Sequence, residues 1–462
     1  MGWLDFTGDN GINSIFDVET NKRKGHYRDD ALIPFKTKGD NNKYEDFSGV
    51  VGAFSRLMSD TALKGGVDMQ LLRNEMKNKV DVRNDDEFNV LFHIVEELYF
   101  SDGKLLPTNI KSLSYVHSNI TQQQVAEYLY SLFVDGTDLR DQYLLMSAKE
   151  ETNVLENLVF SSLEDTEKSK DTSFQKADCL LPYVKEVFIK DLKVLMRDND
   201  IYKTYISRFL AYYYLFYVSQ LAVKLSKFEK GQRNEIEKIF FSVNWEIVTR
   251  VRPGYEYGWK YVKEAISHMF SHSVVLEMMS RNLENKHFDY IGIYNRMLGT
   301  DDDETAAKEI NEVCSTYKQW IPLDYSKCKH DSQKDGVCQA SNAVRSLYET
   351  VDYQFINGGR ASHYRGYNKK FIDFAQKNFG KWGGTSGYIM AVNENDIVMF
   401  TKIILDENDG KIRLSKLFTE FEKRGLLFDR ESKKKITILY EKMNLLEKRS
   451  DSGDAQYVKS IL

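Results

Sequence analysis

The stretch that most limits what this chain can fold into is its last seventy residues, 393–462. Asn395 is placed to cap an apolar helical run, Asp396 to Leu405. A polar loop ending at Gly410 follows, and then a short strand candidate, Ile412 to Leu414. Ser415 is placed to cap a second helix through Arg424, with Gly425 as its C′ residue and Leu417, Phe418 and Phe421 on one face. Asp429 precedes a third helix, in which Ile436, Leu439, Tyr440 and Met443 recur at helical spacing. Two strand-like runs around Leu446 and Val458 flank a turn carrying Gly453. Helix, strand, helix, helix and hairpin is the order of a winged helix. From Lys411 onward about 13 Lys and Arg stand against about 8 Asp and Glu, roughly +5 on a chain whose total is −5. The third helix opens with Lys433, Lys434 and Lys435, and Arg449 lies near the hairpin tip. Basic residues so placed suit phosphate contacts. They suit a protein-docking module equally, because a fold does not specify its use.

The rest of the sequence predicts a mainly α protein: a multi-helical body carrying this C-terminal α+β domain. Pro is scarce at 5 residues, and long periodic runs dominate. The spacing divides the chain into an irregular polar arm over 1–48, a helical body over 49–300, a helical region with a Cys/His-containing loop over 301–392, and the winged-helix domain over 393–462. Helices are expected at Val50 to Leu63, Asp68 to Lys79, Asp85 to Phe100 and Thr121 to Phe133, the last with a Thr121/Gln124 capping box. Further helices are expected at Leu180 to Met196, Tyr202 to Lys227, Ile236 to Val248, Trp259 to Leu283, Ala340 to Phe355 and Tyr364 to Phe379. The most apolar stretch, Phe209 to Val223, is interrupted by Tyr, Ser and Gln and is shorter than a bilayer requires, so it reads as a buried helix. Without a signal-like N-terminus the expected location is the cytoplasm, and 4 Cys make no secreted disulfide framework.

Chemistry-bearing patterns are sparse. Cys314, Cys328, His330 and Cys338 form the one candidate zinc set, of thiolate and imidazole donors, though without a Cys-x-x-Cys knuckle. His268 and His272 stand four apart on a helix, a spacing that can grip one metal, but no Glu general base lies between them. Gly380 to Gly387 lacks the Lys-Ser/Thr ending of a phosphate loop, and the chain carries no nucleophile elbow or dinucleotide fingerprint. Arg360, Tyr364 and Tyr367 form a polar-aromatic group suited to an interface or to a core. No catalytic residue and no cofactor is expected, a structural zinc apart.

The run Arg424 to Ser432, followed by Tyr440 to Val458 with Ser450-Asp-Ser-Gly-Asp-Ala455 as its most specific block, resembles the DptG family. Tyr353 to Phe355, Arg360 and Tyr364 to Tyr367 are similar to that family's pattern as well, while Trp382 to Gly384 stands where a more basic stretch is expected. The likeness covers the last 110 residues or so. It implies a subunit of a bacterial DNA phosphorothioation-dependent restriction system, an antiviral defence, with motor functions supplied by DptF- and DptH-like ATPase or helicase partners. The expected function is then non-catalytic assembly with binding of double-stranded DNA through the winged helix. A pure docking scaffold and a metal-dependent enzyme are the alternatives.

Overall fold

The structure, a computed structural model, describes residues 44–460 apart from 64–66, 151, 164–166, 169–173, 175, 281–287, 299–302, 322, 330–334, 360 and 449–455. It is mostly helical, with small sheets. The helices used below are α1 (Ser48–Ser59), α2 (Met69–Lys79), α3 (Asp85–Tyr99), α4 (Ile120–Phe133), α5 (Val154–Ser162), α6 (Pro182–Leu195), α7 (Asn199–Ser226), α8 (Trp259–Ser267), α9 (Met269–Ser280), α10 (Asp303–Trp320), α11 (Gln339–Asn357), α12 (Ala361–Phe379), α13 (Glu394–Asp406), α14 (Leu414–Lys423) and α15 (Arg430–Lys442). The strands are β1 (Phe240–Val243), β2 (Gly380–Trp382), β3 (Tyr388–Val392), β4 (Lys411–Arg413), β5 (Leu427–Phe428), β6 (Leu446–Lys448) and β7 (Gln456–Lys459).

Everything is arranged around α7. From Phe209 to Leu225 its residues are buried on every face, as for a helix surrounded by others. Burying tyrosines this deeply costs least where their hydroxyls find partners, and three on this helix do. Tyr213 Oη donates to Asp191 at 2.5 Å, Tyr212 Oη donates to the Arg424 carbonyl at 2.5 Å, and Tyr217 Oη accepts from the Leu180 amide at 3.0 Å. Ring contacts spread outward from it, Tyr212 meeting Phe400 at 4.7 Å and Tyr214 meeting Phe374 at 5.1 Å. The Phe209 to Val223 stretch is thus a core helix. No helix among the described residues is long and apolar enough to cross a membrane.

Most of the expected helices are present, and each difference has a physical cause. The N-terminus of α4 is set by Asn119, which forms the capping box with Gln122 two residues before the expected pair. α13 is capped by Asn393 rather than Asn395, again with a box, to Asp396. Each sequence run offers more than one capping side chain, and the earlier Asn is used in both. Trp259 to Leu283 is broken at His268 into α8 and α9. Ile236 to Val248 is not a helix: Phe240–Val243 is a strand, in parallel register with β3 (Ser242 opposite Ala391) and with β5 (Phe240 opposite Leu427). A short apolar run rich in aromatic and β-branched residues fits either state, and here non-local pairing decides.

The last seventy residues follow in the expected order, α13, β4, α14, the short β5, α15, then β6 and β7. β4, β7 and β6 make a three-stranded antiparallel sheet with β7 in the middle, and Val458 lies opposite both Leu446 and Ile412. Gly453 falls outside the described residues. Gly425 has φ +77°, and an added Cβ would stand 2.2 Å from the Phe216 ring of α7, so glycine is needed for both conformation and space.

Three largely buried arginines join this segment to the rest. The Arg424 side chain, 2% exposed, meets Asp191 of α6, 0% exposed, with Nη2 at 2.7 Å and Nε at 2.9 Å from its oxygens. Glu407 and Glu420 complete its shell at 3.1 and 3.3 Å. Arg208 of α7 pairs through Nη2 with Asp396 at 2.7 Å and stacks on Phe379 at 3.9 Å. Arg252 holds Asp429 at 2.5 Å and Glu246 at 3.0 Å. Removing one partner of a buried ion pair strands the other, which costs about 3–5 kcal/mol, whereas apolar replacement of both is close to neutral. Arg424→Met is therefore expected to lower the unfolding free energy by about 3–5 kcal/mol, and Arg424→Met with Asp191→Leu to recover a good part of it, as read by urea denaturation.

Candidate functional site

α15 begins where Asp429 accepts hydrogen bonds from the Glu431 and Ser432 amides at 3.1 and 3.0 Å, and its inner face buries Ile436, Leu439 and Tyr440. The three lysines, adjacent in sequence, then diverge at about 100° per residue. Lys433 lies back on the protein: its ammonium is 2.9 Å from Glu422 and over the Phe418 ring, and its side chain is 35% exposed. Lys434 is 55% exposed and pairs with Glu431 at 2.8 Å. Lys435 is exposed, as are Arg430, Ile438 and Lys442. The outward charge of the helix thus rests on Lys434, Lys435, Arg430 and Lys442, with Lys433 used locally. Arg449 lies outside the described residues.

The first turn of the helix is fastened to the body. Ser432 Oγ donates to Glu246 at 2.5 Å and accepts from Arg252 at 2.9 Å, and Arg252 grips the capping Asp429 with two nitrogens. This network fixes the direction in which the exposed lysines are presented. Arg252 and Glu246 carry no sequence pattern; only their meeting with Asp429, across a separation of 177 residues, gives them a role.

The proposed metal donors are engaged separately. Cys314 is buried on α10 with its thiol 3.3 Å from Thr350 Oγ1. Cys328 is directed to the Glu349 carbonyl at 3.6 Å, and burial pushes its thiol up to about 11. Cys338 caps α11, accepting from the Ser341 amide at 3.4 Å. His330 lies outside the described residues. Among the described residues no group of three or more His, Cys, Asp or Glu side chains is arranged to hold a metal.

His268 and His272 have different surroundings. Asp352 receives His268 Nδ1 at 3.0 Å, Ser271 Oγ at 2.7 Å and Tyr364 Oη at 2.7 Å. The hydrogen bond to Asp352 holds the His268 imidazole above its ordinary pKa, and Nε2 faces Glu264 at 3.6 Å. Serine, histidine and aspartate meet here, but the serine bonds the carboxylate rather than the imidazole, so the histidine does not stand against its hydroxyl as it does in a nucleophilic triad. The cluster clamps α9 to α11 and α12. Tyr364, buried and stacked on Phe355 at 5.2 Å, belongs to the core; Arg360 is outside the described residues. His272 is fully buried, stacks on Tyr348 at 4.2 Å and bonds Tyr290 Oη through Nδ1 at 2.9 Å. Both histidines line a cavity of about 350 Å³ with Lys227, Phe228, Tyr261 and Tyr348.

In comparison with known proteins, the chain matches no family model, and no curated protein matches it.

Burial pushes the His272 imidazole down to about 3. The unfolded chain therefore takes up this proton near pH 6.5 while the folded chain resists it until about 3, and stability falls as the pH drops through that window. His268 acts in the opposite sense: its contribution is full below the unfolded pKa and is lost as the pH rises through its raised folded value. His272→Phe, which keeps a flat ring against Tyr348, should flatten the acid-side decline by about 1 kcal/mol per pH unit below 6.5 in chemical denaturation. Parallel pH profiles for the two proteins would contradict this assignment.

Proposed function

We propose that this chain is a non-catalytic assembly subunit of a bacterial DNA phosphorothioation-dependent restriction complex and binds the backbone of double-stranded DNA through its terminal unit, a winged helix. The observation that carries the reading is the helix α15, fixed at its first turn by Arg252 and Asp429 and presenting Lys434 and Lys435 outward. A helix held rigidly with cations on its open face suits phosphate contacts that position a duplex without reading its bases. The sequence resemblance to the DptG family over the last 110 residues or so supplies the biological setting. In that setting nucleotide-driven work falls to DptF- and DptH-like partners in the cytoplasm.

One observation favours the docking alternative. The N-terminal turn of α15, the part of a recognition helix that usually meets base edges, is occupied by Arg252 and Glu246. Direct base readout through that turn is therefore not part of the proposal, and the proposed duplex contact is made by the middle of the helix. Binding of this kind is salt-dependent and indifferent to sequence.

Lys434→Glu/Lys435→Glu is expected to weaken duplex binding by about tenfold or more at low salt and to reduce the slope of log K against log salt by about 2. Lys433→Glu, which breaks the contact with Glu422, is expected to lower stability and to leave the salt slope close to that of the parent. Fluorescence anisotropy with a labelled duplex, over a salt series, measures both. Equal affinity and equal slope for the double variant would leave protein docking as the function of this unit.

A further inference from the structure

α3 is apolar on two faces. Phe88, Phe92, Val95 and Tyr99 turn inward and form, with Leu72, Met76, Phe100, Leu105, Val159 and Leu163, a small core separate from the main one. Val90, Ile94 and Leu98, spaced four apart, turn outward and are 62, 41 and 53% exposed. At about 1.5 Å per residue they make an apolar stripe about 12 Å long. Single exposed apolar residues are ordinary, but a row of three on one helix face is a surface shaped for another element.

The charges of the same helix say what that element is. α3 carries Asp85, Asp86, Glu87, Glu96 and Glu97 and no Lys or Arg. The first three lie in its first turn, where the helix dipole favours carboxylates, and Asp85 pairs with Lys77 at 2.7 Å. Glu96 and Glu97 lie in the last turn, where the dipole disfavours them. Glu97 is exposed beside the stripe and faces His93 at 3.3 Å. Carboxylates kept at the wrong end of a helix, next to an exposed apolar row, complement cations brought by a partner. A second copy of this chain would bring the same carboxylates against each other.

We infer that the outer face of α3 is a docking surface for a basic amphipathic helix of a partner protein, whose apolar stripe covers Val90, Ile94 and Leu98 and whose Lys or Arg side chains meet Glu97 and Asp86. This is the helix-on-face mode of recognition, read by residues at three- and four-residue spacing. It rests on the assembly part of the proposed function and is independent of the duplex contact on α15.

The test uses the full chain and a fluorescent helical peptide of about 18 residues built from Leu on one face and Lys on the other. A Leu/Glu peptide of the same pattern and a scrambled Leu/Lys peptide serve as controls. The Leu/Lys peptide is expected to bind about tenfold or more tightly than either control. Val90→Ser/Ile94→Ser/Leu98→Ser and, separately, Glu97→Lys are expected to lose about tenfold, with unfolding midpoints near the parent's because the altered side chains are exposed. Equal binding by the triple variant overturns the proposal. So does a dimer of the parent, seen by analytical ultracentrifugation, that the triple variant abolishes, since a second copy is then the occupant. Duplex affinity measured on the same variants separates the two readings: it stays at the parent's value whether this proposal stands or fails.

Discussion

The ion pair of Arg424 with Asp191 is the constraint on which the arrangement of this protein depends. A guanidinium and a carboxylate with almost no exposure are tolerable only when each is fully bonded, and here they are. Asp191 accepts from Arg424 and Tyr213; Arg424 donates to Asp191, Glu407 and Glu420, and its carbonyl accepts from Tyr212. The contact therefore brings together α6, the central helix α7, and the C-terminal ends of α13 and α14 at one buried point. The next residue is Gly425, whose missing side chain lets Phe216 approach. Position and orientation of the terminal helices follow from this point, and Arg208 and Arg252 fix them at two more.

That anchoring explains how the lysines divide. Lys433 faces back toward α14 and is neutralised there by Glu422, while Lys434 and Lys435 turn outward. A run of three lysines in sequence thus becomes one contact with a neighbouring helix and two exposed side chains, of which Lys434 pairs with Glu431 of its own helix. The same logic applies to α3, where exposure and charge sort the residues of a single helix into an inner and an outer face. In both places the fold fixes one side of a helix and leaves the other available.

Much of this was legible in the sequence, because it depends on local spacing. The periodic apolar residues of α7, α12, α14 and α15 announce their helices, and Asp429 announces its cap. β1 was not legible as a strand, since its 4 residues have no period of their own and their state is set by partners about 150 and 190 residues away. The anchors were illegible for the same reason: nothing near Asp191 or Arg252 marks them, and their partners stand 233 and 177 residues distant. The histidine pair shows the converse. Its spacing suggested a shared ligand, whereas Asp352 and Tyr290 claim the two rings separately. The cysteines likewise form no described cluster, each being satisfied where its own helix or loop places it.

Native-state hydrogen exchange tests the central claim most directly, because it reads the opening free energy of each segment. If the buried arginine anchors join the terminal helices to the body, the amides of α13, α14 and α15 should exchange through the same global opening as those of α7, and β1 with them. Exchange of the terminal helices through a separate opening, well below the global free energy, would contradict it.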